Sequence, residues 1–223
     1  MNNLTSFIKK VLLSFEQSRT TIKYDSVYKY EDGPNNIKQV TLSFGITEYG
    51  NLKTFIKDYC SKDGKYTKEF NSYLPLIGTK PLVQDNNFVS LLKESASDPV
   101  MQQCQEQAFD SMYITPALSW CSKNNILLPL SQAVIADSFL QSGSILGRIR
   151  NTFSETLPVN GGDEKTWITC YCKARKFWLE NHSRKILHNT VYRMNFFLDL
   201  IKDDDWNLTK DFYTANGVKI VAK

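Results

Sequence analysis

Apolar residues recur at three- and four-residue steps near the start of the chain: Leu4, Phe7, Ile8, Val11, Leu12 and Phe15. That spacing predicts one buried face of an amphipathic helix of about four turns. Glu16 follows Leu12 by four positions, at the edge of that face. A carboxylate there is held by the fold and partly desolvated.

From Tyr24 the period changes. Residues 24–30 and 37–44 alternate loosely and flank EDGPNN. Asp-Gly and Pro-Asn-Asn are strong turn chemistry, so a β-hairpin or small sheet is predicted over about 27–47. Helical spacing returns at 51–61, through Leu52, Phe55, Ile56 and Tyr59. Pro75, Gly78 and Pro81 punctuate a connecting stretch, and NNFVSLLKESA opens another helix. Beyond residue 99 the pattern stays helical. Pro99 to about Asn124 reads as one helix, or as two broken near Pro116. Residues 130–141 form a strongly apolar helix, and another of about 18 residues follows Gly161-Gly162 with Asp163 as its cap. TVYRMNFFLDLI supplies a last one. An opening helix, a small hairpin and many helices predict an α+β protein.

Composition adds bounds. With 223 residues, 42% hydrophobic and 13% aromatic, the chain can bury a real core as one large domain or as two lobes sharing a cleft. Its 27 basic and 23 acidic residues leave a net charge of +4, a weak bias toward anionic partners. No block of like charges marks a nucleic-acid surface, and no stretch of about 18 apolar residues marks a membrane span. Lys9 and Lys10 interrupt the first apolar stretch and no small-residue cleavage site follows, so it is not read as a secretory signal. The five cysteines are irregularly spaced and only His182 and His188 could assist them, so a zinc site is not expected. Buried free thiols, made in a reducing compartment such as the cytoplasm, are the simpler reading.

Charged residues stand where apolar ones would be expected. Asp137 lies inside AVIADSFL, and Arg175 shares a helix face with Tyr171 and Trp178. A buried lone charge is costly, so the two are expected to pair across the core. That pair is either a plain interhelical salt bridge or a device that positions a catalytic carboxylate. Glu16 and Asp32 are the candidate catalytic carboxylates: glycoside hydrolysis needs one carboxyl to protonate the leaving oxygen and another to activate water. Residue types alone favour a helix-end glutamate and a turn aspartate.

The order of these elements carries more. Glu16, Tyr28-Lys29-Tyr30, Asp32-Gly33, Thr41 and Phe44-Gly45 resemble the chitosanases of glycoside hydrolase family 46, in the lysozyme-like superfamily. VMQQCQEQAFDSMYITPAL, AVIADSFLQSG, GRIRNTF and GGDEKTWITCYCKARK continue the resemblance in register over nearly the whole chain. Pro34 stands where that family has an arginine, and Glu48 is nearest to the carboxylate it carries just beyond the hairpin.

The resemblance implies a mostly helical, two-lobed lysozyme-like fold with a small β-sheet flanking a substrate cleft. Residues 24–95 would form the β lobe, and 1–23 with 96–223 the helical lobe. It implies Glu16 as general acid, Asp32 as general base and Thr41 as a holder of the attacking water. Asp137, Arg175 and Arg184 would form a charged relay behind the acid, and Glu48, Tyr30 and Arg148 would touch substrate. The reaction would invert configuration, with the two carboxylates roughly 6.5–9.5 Å or more apart. Trp120, Trp167, Trp178 and Trp206 are either sugar-stacking rings or, more simply, core. A monomer acting on a polysaccharide after export, without cofactor, nucleic acid or membrane, completes the expectation.

Three functions stay open at this point. The first is endo-hydrolysis of a chitosan-like β-1,4-linked amino-sugar polymer. The second is hydrolysis of peptidoglycan, whose anionic character suits the basic balance. The third is carbohydrate binding or another interaction on the same scaffold without catalysis.

Overall fold

Helix α1 (Asn3–Gln17) turns Phe7, Ile8, Val11, Leu12 and Phe15 inward, the face that the spacing predicts. The computed structural model describes residues 3–221. Backbone contacts divide it into two compact units, Met1–Thr21 with Ser111–Lys223, and Ile22–Asp110.

In the unit Ile22–Asp110, strands β1 (Val27–Tyr30), β2 (Gln39–Leu42) and β3 (Ile46–Thr47) form an antiparallel sheet in sequence order. Tyr30 pairs with Gln39, Tyr28 with Thr41, and Thr41 with Thr47. Directly opposed residues project to the same side, so these five share one face. Val40, Leu42 and Ile46 are fully buried on the other. The β1–β2 connection is tight because Gly33 N donates to Ile37 O at 3.0 Å. A Cβ at Gly33 would sit 2.6 Å from that oxygen, so only glycine fits. Asn35 and Asn36 occupy left-handed backbone, at φ 54° and 60°, which asparagine tolerates better than most residues.

Helices α2 (Leu52–Ser61), α3 (Thr67–Tyr73), α4 (Asn86–Glu94) and α5 (Pro99–Phe109) complete this unit. Asp85 and Asp98 cap the last two by accepting from Phe88 N and Val100 N. The unit runs past the boundary near residue 95 read from sequence because α5 packs against α2. Phe44 meets Phe109 edge-on at 5.0 Å, a packing role.

Of the two readings of 99–124, one helix or two, the structure has two, with the break slightly before Pro116. A wide π-type turn, Asp110–Ile114, ends α5, and α6 (Thr115–Lys123) starts with Pro116 in its first turn. There proline costs nothing, since the first N–H groups of a helix have no intrahelical partner. α7 (Pro129–Ser142), the short α8 (Gly147–Arg150), α9 (Glu164–Glu180) and α10 (Tyr192–Lys202) follow. α7 is buried nearly all round, in contact with α1, α6, α9 and α10, as its uninterrupted apolar sequence requires. Asp163 caps α9 by accepting from Thr166 N.

The hydrophobic pattern passes over the last element. β4 (Phe212–Ala215) and β5 (Val218–Val221) form a hairpin against α1. Asn216-Gly217 turns it with positive φ at both residues, 50° and 74°, the geometry an Asn-Gly hairpin favours.

Candidate active site

Glu16 ends the amphipathic face of α1 with about a third of its side chain exposed, 35%. Its Oε1 accepts a hydrogen bond from Arg193 Nη2 on α10. The same guanidinium donates through Nη1 to Asp137 Oδ1 on α7, at 2.9 Å. On the far side of Asp137, Arg175 Nη1 from α9 lies 2.8 Å from Oδ2. Glu16, Arg193, Asp137 and Arg175 thus alternate in sign, from a solvent-facing carboxylate to a fully buried cation.

The alternation has a physical basis. Each of the three inner charges is nearly or fully sealed from water, so each needs an opposite neighbour and satisfied hydrogen bonds. Arg175 meets that need further through Ser138 Oγ at 3.0 Å and Gln141 Oε1 at 2.5 Å. Ser138 is itself 2.8 Å from the Tyr171 hydroxyl. Burial acts to lower the Arg193 pKa, but the charges of Asp137 and Glu16 outweigh it and hold it above its ordinary value. Arg193 is therefore a permanent cation, shared between two carboxylates. Around Glu16, Tyr192 Oη donates to Phe15 O at 2.8 Å and the Arg193 guanidinium lies over the Phe15 ring. Burial, aided by the charge of Glu16, pushes the Tyr113 phenol up to about 12, so that hydroxyl stays protonated.

Arg193 takes the place that the sequence reading gave to Arg184. Arg184 is exposed in the loop before Lys185–Thr190 and makes no ion pair with the relay among the described residues. The signal for Arg193 was present: a charge between Tyr192 and Met194 on the apolar face of a helix, as for Asp137.

In the other unit, Asp32 is exposed at the turn after β1, and its Oδ1 accepts from Gln39 Nε2 at 2.9 Å. Gln39 is buried and fixed in turn, its Oε1 accepting from Tyr49 N at 3.1 Å. Sequence reasoning missed Gln39, an unremarkable amide until β2 places it. Two residues along the same face, Thr41 is buried and its Oγ1 has no hydrogen-bond partner among the described residues. Tyr28 and Tyr30, exposed on that face, stack with ring centroids 5.6 Å apart at 15°.

Glu48 does something other than touch sugar. It is 1% exposed, and its oxygens accept from Val40 N at 3.0 Å and Leu82 N at 2.6 Å. Both oxygens are spent tying β2 to the segment before α4. Trp167 and Trp206 are core residues, and Trp167 stacks on Tyr171 at 5.3 Å and 9°. Arg148 lies 4.9 Å over the half-buried Trp178 ring. Cys121 and Cys172 are buried, and burial pushes both thiols up to about 12.

The model of glycosyl hydrolase family 46 matches residues 10–211. A chitosanase from Streptomyces sp. (strain N174) is 29% identical over 136 residues, which cover 55% of this chain and 49% of that protein. The chain thus spans about half the length of that curated relative. Among solved structures, a mutant chitosanase from Bacillus subtilis MY002 complexed with 6 GlcN has a TM-score of 0.80 at 21% identity, covering 100% of this chain and 99% of that one. The Gynuella sunshinyii GH46 chitosanase GsCsn46A in complex with chitotetraose has a TM-score of 0.79 at 17% identity, covering 99% and 98%. These likenesses establish the mostly helical, lysozyme-like fold with a small sheet. With a family match that extends from α1 almost to β4, the chain belongs to glycosyl hydrolase family 46.

Proposed function

We propose that this protein is an endo-acting hydrolase of a β-1,4-linked amino-sugar polymer, chitosan above all, with Glu16 as general acid and Asp32 as general base. The observation that carries the reading is the relay of Glu16, Arg193, Asp137 and Arg175. Replacing a buried ion network with apolar residues is often neutral or stabilising, so stability alone is a weak reason to keep three sealed charges. Holding one carboxyl oxygen of Glu16 in place while the side chain still faces solvent is a catalytic reason.

The step itself balances simply. Glu16 delivers its proton to the glycosidic oxygen as the C1–O bond breaks. Asp32 takes a proton from water as that water's oxygen bonds to C1 from the opposite face, which inverts configuration. Gln39 aims Asp32, and the hydroxyl of Thr41 is suited to hold the water. Tyr28 and Tyr30 offer a ring face on which a sugar can lie. The relatives bound to 6 GlcN and chitotetraose support glucosamine chains as the substrate class.

Among the described residues, no helix is long and apolar enough to cross a membrane. Structural polysaccharides such as chitosan and peptidoglycan are met outside the cell, and we place the activity there, performed by a monomer. Peptidoglycan is the second reading, favoured by the net charge of +4 and by the cationic pocket described below. Hydrolysis of chitosan and of purified peptidoglycan by wild type and Glu16→Gln tests both. Cleavage of one polymer, lost in the variant, supports that reading; cleavage of neither, with binding retained, overturns catalysis.

A further inference from the structure

We infer a second ligand site in the helical unit: an anion pocket for a carboxylate or phosphate group, carried on a sugar or free. It is a cavity of about 380 Å³, within the roughly 300–1,000 Å³ range of small-molecule sites. Arg148, Arg184 and His182 line it, Leu146 and Trp178 supply apolar wall, and none of the described residues lining it is acidic.

Its donors are pre-set. The Arg148 guanidinium is held 4.9 Å over the Trp178 ring, which fixes a planar fork suited to an oxyanion. His182 packs edge-on against the same ring at 4.7 Å. Arg184 N donates to His182 Nδ1 at 2.9 Å, so in the neutral ring the proton sits on Nε2, which then donates. The loop bearing His182 and Arg184 is tied back by His188 Nε2 to His182 O at 2.8 Å and by Gln141 Nε2 to Thr190 Oγ1 at 2.9 Å. Neither Arg148 nor Arg184 has a carboxylate partner among the described residues. Both arginines line one cavity without such a partner, so their positive charges add there, and a bound anion relieves the repulsion between them. Gln141 lines the same cavity and grips Arg175, so the pocket abuts the inner end of the relay. A chain of glucosamine, cationic when protonated, would be repelled here; the pocket is made for the opposite charge.

The test is a titration of the wild-type protein with inorganic phosphate, glucuronate, glucosamine 6-phosphate and neutral N-acetylglucosamine, none of which has a glycosidic bond to cleave. Amide and Trp178 indole NMR shifts report the site, and calorimetry reports affinity. The anions are expected to saturate the pocket at millimolar concentration, with N-acetylglucosamine weaker by at least about tenfold and Arg148→Ala or Arg184→Ala reducing anion affinity by a similar factor. Arg148→Lys, which keeps the charge but not the planar stack, should fall between. Tighter binding of the sugar acids than of phosphate identifies a sugar-borne anion, and equal binding a free one. Failure of every anion to saturate by about 20 mM, unchanged affinity in the arginine variants, or equal binding of N-acetylglucosamine overturns the site. Both arginines are exposed, and the amide spectrum shows directly that each variant is folded.

Discussion

Arg193 and Asp137 meet at 2.9 Å, Nη1 to Oδ1, through the guanidinium whose other nitrogen grips Glu16. Asp137 therefore takes up much of the charge that would otherwise bear on Glu16 alone. Arg193 can orient the acid without being committed to it.

Glu16→Gln should lower the rate on chitosan by about 10²-fold or more, the usual contribution of a general acid. Because the side chain is partly exposed, thermal unfolding should change little. Reducing-end release and a melting curve separate the two effects.

Asp137→Asn removes the anion that stands between two buried arginines. Breaking such a network costs about 3–5 kcal/mol, to be read from urea unfolding. In the variant still folded at low temperature, kcat should fall further than KM rises, since Glu16 is then held by an arginine with no second carboxylate.

Gln39→Ala frees Asp32 from the side chain that donates to it and leaves Tyr49 N unmatched. A base displaced by about 1 Å loses up to about 10²-fold in rate. Steady-state kinetics should show the loss in kcat with KM near wild type. An equal loss in both would assign Gln39 to sugar binding instead.

Asp98 gives a pH dependence of stability. Burial acts to raise its pKa, but hydrogen bonds from Tyr59 Oη, Val100 N and Lys65 N outweigh it and hold the pKa below its ordinary value. A depressed folded-state pKa contributes stability that is full above the unfolded value, about 3.9, and is lost as pH falls through the folded value. The stability gap between wild type and Asp98→Asn, measured by urea unfolding, should be constant from about pH 6 to about 5 and shrink below about pH 4.

The elements that carry the site were legible where the signal is local. The apolar stripe of α1 set Glu16 at its edge, Asp-Gly-Pro-Asn-Asn marked the turn at Asp32, and Asp163 announced α9. Each follows from residues within a turn or two of one another, the range over which periodicity and capping act. The Asn216-Gly217 turn is equally local, but its flanking strands alternate over only four residues each, too short a period to stand out beside the helical pattern before them.

Local pattern along the chain was enough for an α+β protein with an acid at the end of a buried helix, a second acid in a turn, and two charges, Asp137 and Arg175, that had to find partners. Which partners they found was a tertiary decision. Arg193 rather than Arg184 joins Glu16 to Asp137 across 177 and 56 residues of chain. Glu48 turned inward because two backbone N–H groups had to be satisfied there. A charge's need for a counter-charge is written in its side chain, but the identity of that counter-charge depends on which helices pack together.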